Sequence, residues 1–332
     1  MPSSTVMTIG DIETLVVSIL IRNRVSEENA LSVAKALVAA EAAGQPGHGL
    51  RRVPAYSAQA LARKVDGEAM SVAMATAEAV RRIDAGYGFA YPAFDMAVEL
   101  LPSIASRTGI ALAAIHRSHH AGVMGLTVER FAERGLVALM VANAPAAMAP
   151  WGGRHAVYGT NPIAFAAPLE GTDPIVIDLA MSKVARGKIM AARQSGRAIP
   201  EGWALDANGD PTTDADAAMA GTMIPLGDAK GAALALMVEI LAAGITGANY
   251  AFEASSLFDD QGPPPELGQT IIVIDPRATG GSGVAARLSL LAETIARDPG
   301  TRLPGKRGAN ARRKALAEGL VIDEDVMRLL SI

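Results

Sequence analysis

Thr270-Ile271-Ile272-Val273-Ile274-Asp275, followed after a short gap by Gly281-Ser282-Gly283-Val284-Ala285-Ala286, is the stretch that would open a Rossmann dinucleotide site. The glycine spacing fits, with Ala in the last position, and the upstream run reads as a strand. The context does not fit. In a βαβ unit the glycines turn directly off the strand, so that the helix amides reach a pyrophosphate, and an acidic residue ends a second strand about 20 residues on. Here the glycines come several residues late and no such strand follows, so Gly281 to Gly283 reads as a helix entrance. Lys230-Gly231 lacks the upstream glycine spacing of a Walker loop, and no nucleophile elbow occurs.

Working outward, the N-terminal part reads as helical. Ile12, Leu15, Val16, Ile19 and Leu20 form one apolar stripe across Ile9 to Arg24. Ser26, backed by Glu27 and Glu28, can cap a second helix that runs to about Gly44, a left-handed stop. Gln45 to Gly49 is a tight corner, and Leu50 to Arg63 is helical with Pro54 in its first turn. From about Ser71 the pattern shortens. Met74 to Ala79, Arg81 to Asp84, Ile110 to His116, Val137 to Asn143, Ile163 to Ala167, Ile175 to Ile177 and Thr270 to Ile274 read as strands. Ala90 to Ser106, Gly125 to Arg134, Ala229 to Gly244 and Gly283 to Arg297 read as helices, giving a mixed α/β body. Gln194 to Thr222, rich in Gly, Asp, Pro and Thr, is an ordered surface excursion.

Composition narrows the function. With 332 residues, 50% of them hydrophobic and 19% charged, the chain has the makings of a large core, and its length suggests two domains. A net charge of −4 with scattered basic residues offers no footprint for nucleic acid. The absence of cysteine removes disulfides, thiolate metal sites and cysteine nucleophiles, and suits a reducing cytosol. Met1 to Asp11 lacks the layout of a secretory signal. Gly231 to Ala248, interrupted by Glu239 and glycines, favours a buried helix over a membrane span. The expected setting is cytoplasmic, without membrane or nucleic-acid partners.

Two of the five histidines stand out. His48 lies between Gly47 and Gly49, with Arg52 four residues on at the start of the next helix. There a guanidinium can grip a carboxylate while the imidazole serves the adjacent carbonyl. His120, in Ser118-His119-His120-Ala121-Gly122, occupies a strand-to-helix turn whose free amides favour an anion such as a cofactor phosphate. As a metal site His119-His120 is weak, because adjacent side chains diverge and no carboxylate stands at a helical spacing, so no metal is expected. Arg302, Lys306, Arg307, Arg312, Arg313 and Lys314 form a basic cluster, either a solvated face or a set of phosphate ligands.

Taken together and in order, several motifs resemble one family. They are Gly47-His48-Gly49-Leu50-Arg51-Arg52-Val53-Pro54, Ser118 to Gly122, Ala149-Pro150-Trp151-Gly152-Gly153 with Gly159-Thr160-Asn161-Pro162, Asp178-Leu179-Ala180-Met181-Ser182 and Ala185-Arg186-Gly187-Lys188. Ile199 to Trp203, Pro225-Leu226-Gly227 with Lys230-Gly231, and Leu303-Pro304-Gly305-Lys306-Arg307 complete the set. The chain resembles the type-2 malate/L-lactate dehydrogenase family, which also contains ureidoglycolate, sulfolactate and diketogulonate reductases and the Δ1-piperideine-2-carboxylate/Δ1-pyrroline-2-carboxylate reductases.

The resemblance implies a non-Rossmann α/β (α+β-like) fold, with a large, mostly antiparallel sheet in the cofactor domain and a helical domain formed from both chain ends. It divides the chain into 1–70 with 305–332 on the substrate side and 71–304 on the NAD(P) side, in a homodimer. It implies His48 as proton donor, Arg52 as carboxylate ligand, His120 as second active-site histidine and Thr160 as a substrate contact. His120, Ala121, Gly122, Asp178, Leu179, Ala180, Arg186, Gly187, Lys230, Pro304, Gly305, Lys306 and Arg307 match cofactor-binding segments. The implied reaction is reduction by NADPH or NADH of a small 2-oxo acid, or alternatively of the cyclic imines Δ1-pyrroline-2-carboxylate and Δ1-piperideine-2-carboxylate. The cationic Lys306-Arg307 leans toward NADPH. One departure stands out: most members place Ser before the first histidine, where Gly47 stands here. That substitution suggests a rival from another class, a catalytically silent dinucleotide-binding protein, and leaves open what orients His48.

Overall fold

The computed structural model describes residues 4–331, so Met1 to Ser3 of the segment read as lacking a signal lie outside the described residues. The chain opens with strand β1 (Ser4–Met7), helices α1 (Ile9–Arg22) and α2 (Glu27–Ala42), and α3 (Val53–Leu61). The Ser26 hydroxyl accepts the Asn29 amide, capping α2 as expected. The helix expected from Leu50 begins only at Val53, because two successive 3-10 turns, Pro46–His48 and Leu50–Arg52, first tighten the corner.

Strands β2 (Val72–Ala77), β3 (Val80–Asp84), β4 (Ile110–Ser118), β5 (Val137–Ala142), β6 (Ile163–Leu169), β7 (Thr172–Leu179) and a later strand, Leu267–Ile274, build a seven-stranded sheet. Between them lie α4 (Ala90–Thr108) and α5 (Met124–Ala132). After α6 (Arg186–Gln194), the excursion folds as the short strands β8 (Ala204–Leu205), β9 (Pro211–Thr212) and β10 (Thr222–Met223), with α7 (Ala215–Ala220) before the last. Helix α8 (Ala229–Glu239) ends in a π-helical turn, Ile240–Gly244. The later strand is β11, followed by α9 (Pro276–Gly280), α10 (Val284–Ala296), α11 (Lys306–Glu318), β12 (Leu320–Asp323) and α12 (Glu324–Leu329).

The sheet order is β2-β3-β4-β11-β5-β6-β7, and among the described residues only β3 and β4 pair in parallel. Central β11 runs antiparallel to both neighbours, which rules out a βαβ unit around it. Gly281–Gly283 is a 3-10 turn opening α10, so the helix-entrance reading holds. The terminal strands, unexpected from sequence, pair with each other from Ser4↔Asp323 to Met7↔Leu320.

One apolar core runs unbroken from the terminal helices (Ile12, Leu37, Leu50) through α4 and α5 to the sheet (Ile115, Ile271). A second core, around Met148, Met181, Ile189, Ala204, Met223 and Ala235, holds the excursion against α8. No helix among the described residues is long and apolar enough to cross a membrane.

Candidate active site

The corner after α2 is shaped by a carboxylate. Glu41 Oε2 accepts the Leu50 amide at 2.9 Å, and a Cβ on Gly49 would run into that same carboxylate. Only glycine lets the chain fold this closely over Glu41. The bend leaves His48 half-buried and sets Arg52 at the cap of α3, where its Nε donates to the Gly47 carbonyl at 2.9 Å. The Arg52 guanidinium lies 5.0 Å from the ring centre of Phe258.

Strand β4 brings the other imidazole. His119 is enclosed and His120 half-buried, yet both rings pack edge-on against Tyr56, so the divergence expected of these neighbours is not what the fold shows. His119 is 1% exposed, edge-on to Tyr56 and Phe89, and neither of its ring nitrogens has a hydrogen-bond partner. His120 stacks on His48, with ring centres 5.2 Å apart and planes 20° from parallel. Its Nδ1 shares a 2.7 Å hydrogen bond with the Tyr56 hydroxyl, which meets the Tyr91 hydroxyl at 3.1 Å. Gly122 sits at φ +63°, where an added Cβ would strike the Tyr91 hydroxyl.

Burial sets the charge state of this cluster. It pushes His48 down to about 4 and His119 down to about 3, in both cases with help from the Arg52 cation. His120 is held well below its usual value by burial first, then by Arg52. Burial also raises both tyrosines, so the cluster at neutral pH is an uncharged aromatic network beside the Arg52 and Lys64 cations.

A cleft of ≈ 420 Å³ adjoins the corner and the turn after His120. Its walls include Gln45, Val123, Gly125, Asp178, Pro304, Gly305 and Arg307. The amides expected to be free for a phosphate are already engaged: Asp178 Oδ2 accepts the Gly125 amide at 2.7 Å and the carboxylate also receives that of Met124. Although Asp178 is exposed along its strand, its carboxyl is enclosed beneath the start of α5, and loss of solvation raises it to about 6.

The basic cluster divides. Arg312 grips Glu129 with two 2.6 Å contacts, Arg313 pairs with Asp173, and Lys314 with Glu318. Among the described residues Arg302, Lys306 and Arg307 have no acidic partner. Unpaired cations at one wall and a hydrogen-bonding carboxylate at another fit a dinucleotide, which carries both phosphates and hydroxyl or amide donors.

Thr160, Arg186, Gly187 and Lys230 do not line that cleft. They stand around the second core, Arg186 opening α6 and Lys230 in the first turn of α8. The segments are stitched by Met181 N to Thr160 O and Leu226 N to Met181 O, both at 2.7 Å. Arg186 has no acidic partner among the described residues, and burial lowers its pKa, which makes it receptive to an anion. The Thr160 turn rests on buried Glu239, whose carboxylate accepts Asn161 Nδ2 at 2.7 Å, Asn143 Nδ2 at 3.2 Å and the Ala251 amide at 2.7 Å. His116 is buried on β4 near Asp84 and Arg82, and His155 is exposed beside Arg154.

Sequence reasoning missed Tyr56, Tyr91, Glu239, Lys64 and Phe258. Tyr56 carried a signal, since it follows Arg52 by four residues and so shares its helix face. Glu239 carried another, an acid in an otherwise apolar helix. Lys64 and Phe258 meet the site from distant parts of the chain and carried none.

The family model described as malate/L-lactate dehydrogenase matches residues 7–331. The chain belongs to the malate/L-lactate dehydrogenase family. Within the family, it is 48% identical over 324 residues to the (2R)-3-sulfolactate dehydrogenase (NADP(+)) of Chromohalobacter salexigens, covering 98% of this chain and 96% of that one. It is 40% identical over 333 residues to the Δ1-pyrroline-2-carboxylate/Δ1-piperideine-2-carboxylate reductase of Pseudomonas putida, again covering 98% and 96%. Among solved structures, the Δ1-piperideine-2-carboxylate reductase of Pseudomonas syringae pv. tomato superposes with a TM-score of 0.93 at 38% identity, over 98% of each chain. These malate/L-lactate dehydrogenase relatives share the mixed α/β architecture described above.

Proposed function

We propose that this protein reduces a small 2-oxo acid, or the matching cyclic 2-imino acid, with NADPH or NADH. The observation that carries the reading is the stacked His48–His120 pair beside the Arg52 guanidinium. Arg52 holds the substrate carboxylate, and His48, having taken a proton from solvent once the acid is bound, gives it to the oxygen or nitrogen on C2 and returns to the neutral imidazole. A reduced nicotinamide, when bound, would supply the hydride for C2, the other half of turning a C=O into CH–OH or a C=N into CH–NH. Arg52 and burial together keep His48 neutral before substrate arrives. A carboxylate docked on Arg52 cancels that field, so substrate binding itself raises the proton affinity of His48. His120, fixed by Tyr56, presents a flat face that keeps the His48 ring in place.

Asp178, Pro304, Gly305 and Arg307 line the cofactor cleft in this reading, and Leu179, Ala180, Ala121, Gly122 and Lys306, which do not line it, belong to the segments that flank it. Arg186, Gly187 and Lys230 act as a second cofactor segment and Thr160 as a substrate contact. The unpaired Lys306 and Arg307 favour the 2′-phosphate of NADPH. Both chain ends form the substrate-side unit, 1–70 with 305–332, supported by the pairing of β1 with β12, and 71–304 form the cofactor unit. The exposed apolar residues of α8 (Leu234, Leu236, Met237) and of its π-helical turn (Ile240) support a homodimer, and the lack of cysteine a cytoplasmic setting.

The deciding experiment measures NADPH and NADH oxidation with pyruvate, oxaloacetate, sulfopyruvate, Δ1-pyrroline-2-carboxylate and Δ1-piperideine-2-carboxylate, for wild type and His48→Ala. At least one acid should be reduced by wild type, with kcat falling about 10²–10⁴-fold in the variant. No turnover of any acid by wild type, or an unchanged kcat in His48→Ala, overturns the reading.

A further inference from the structure

Helix α3 grips one distant loop with both of its ends. At its start, Arg52 lies 5.0 Å from the Phe258 ring centre. Beyond its finish, Lys64, 0% exposed along its side chain, sends its ammonium to the same loop. Lys64 Nζ donates to Asp259 O at 3.1 Å, Asp259 Oδ1 at 3.1 Å and Gln261 O at 2.6 Å. Gln59 Nε2, from the last turn of α3, adds a 2.9 Å bond to Asp259 O. The loop is also braced internally: Ser256 Oγ accepts the Phe258 amide at 3.1 Å and Asp259 Oδ1 the Gln261 amide at 3.0 Å.

An ammonium taken out of water is costly unless its donors are met, and here every acceptor comes from a segment about 195 residues away in sequence. The loop Lys64 holds delivers one aromatic ring, half exposed, against the guanidinium read as the carboxylate anchor. A ring face favours a cation above it and leaves the guanidinium edge free to bind a planar acid.

We infer that the loop from Ser255 to Gly262 is part of the substrate site, with Phe258 as a positioning residue that sets the pose of Arg52 and Lys64 as the latch that holds Phe258 there. The inference rests on the reading of Arg52 as the carboxylate anchor. Its chemistry predicts an effect on capture of the acid and not on the hydride step.

Three variants test it. Lys64→Met keeps the stem and removes the ammonium, Phe258→Leu removes the ring, and Phe258→Tyr keeps it. In Lys64→Met, amides of residues 255–262 should exchange with deuterium at least tenfold faster, while those of β4 and β11 keep the wild-type rate. In Phe258→Leu, KM for the best-reduced acid of the five-compound panel should rise at least tenfold, with kcat and the cofactor KM within threefold, and Phe258→Tyr should restore it. Unchanged exchange in a folded Lys64→Met, or an unchanged acid KM in Phe258→Leu, overturns the inference. Phe258 is half exposed, so its substitution tests the idea even if Lys64→Met does not fold. A wild type that reduces no acid of the panel sinks the reading of Arg52, while the exchange measurement still decides the latch.

Discussion

The hydroxyl of Tyr56 meets Nδ1 of His120 at 2.7 Å, inside a fold where Tyr56 is fully buried and its second neighbour is the hydroxyl of Tyr91 at 3.1 Å. The bond ties the turn after β4 to the middle of α3, so Tyr56 fixes the His120 ring and His120 in turn stacks against His48. Removing the oxygen in Tyr56→Phe should lower kcat about tenfold or more and cost roughly 1 kcal/mol of stability, the usual worth of such a bond. Steady-state kinetics and a denaturant titration on the same preparation check both. Full activity would mean that stacking alone orients His120.

The histidines also predict how stability responds to acid. His48 near 4 and His119 near 3 lie below the ordinary value of 6.5, so between pH 6.5 and about 4 the unfolded chain binds protons that the folded chain refuses. Stability is therefore fully present above 6.5 and falls with pH below it, by about 1.4 kcal/mol per pH unit for each such histidine. Asp178, raised to about 6, acts oppositely between 6 and 4, because there the folded chain binds the extra proton. Glu41, Glu129 and Glu239, raised by burial, act in the same sense as Asp178, but His116 and His120 are lowered along with His48 and His119 and titrate over the wider interval, so the melting temperature should drop from pH 6.5 to 4. His119→Leu should flatten that slope, and a slope unchanged in the variant would remove His119 from the account.

Gly47 is open to substitution. No atom lies within 4 Å of the Cβ it lacks, and its backbone is outside the left-handed region, in contrast to Gly49, where a side chain collides with Glu41. Gly47→Ser should fold with a melting temperature within about 2 °C of wild type, the range expected of a surface change below 0.5 kcal/mol. The new hydroxyl stands one residue from His48, whose Nδ1 is buried without a partner, so kcat should hold or rise. A tenfold loss of kcat would show that the corner requires glycine for reasons beyond space.

Glu239 is the most consequential buried acid. Its carboxylate satisfies two asparagine side chains and one backbone amide between α8 and the Thr160 turn. Glu239→Ala strands the buried Ala251 amide and takes one bond each from Asn161 and Asn143, which keep the Ala235 and Asn249 carbonyls, and should cost about 2 kcal/mol, whereas Glu239→Gln, which keeps one acceptor, should cost less. Chemical denaturation of both variants tests the order.

Much of this was readable in the residues. The apolar stripe of α1, the Ser26 cap and the alternation in the strands follow local rules, and local rules were enough for them. The strand β11 was legible too, but not its antiparallel place at the centre of the sheet, since register with β4 and β5 depends on chain more than 120 residues away. The short strands β1 and β12 were invisible because four-residue strands carry little pattern. At the site, His48, Arg52 and His120 declared themselves through glycine-flanked or turn contexts. Asp178 was found through family likeness, and its grip on the Gly125 amide, which pre-empts an external anion at α5, was not. The basic cluster could not be divided from sequence, because pairing of Arg312 with Glu129 is a property of the folded surface alone.

The pairing of β1 with β12 has a bearing on how the molecule is made. Residues 4–7 find their hydrogen-bonding complement only in residues 320–323, so the amino-terminal segment must wait, unclasped, while nearly everything between is synthesised. The bend carrying His48 and Arg52 depends on the same carboxyl end, because its second 3-10 turn, Leu50–Arg52, packs against α12. Competence of this enzyme is therefore set late in biogenesis, and a ribosome-stalled chain lacking its last fifteen or so residues should hold a completed sheet whose amino-terminal clasp has yet to close.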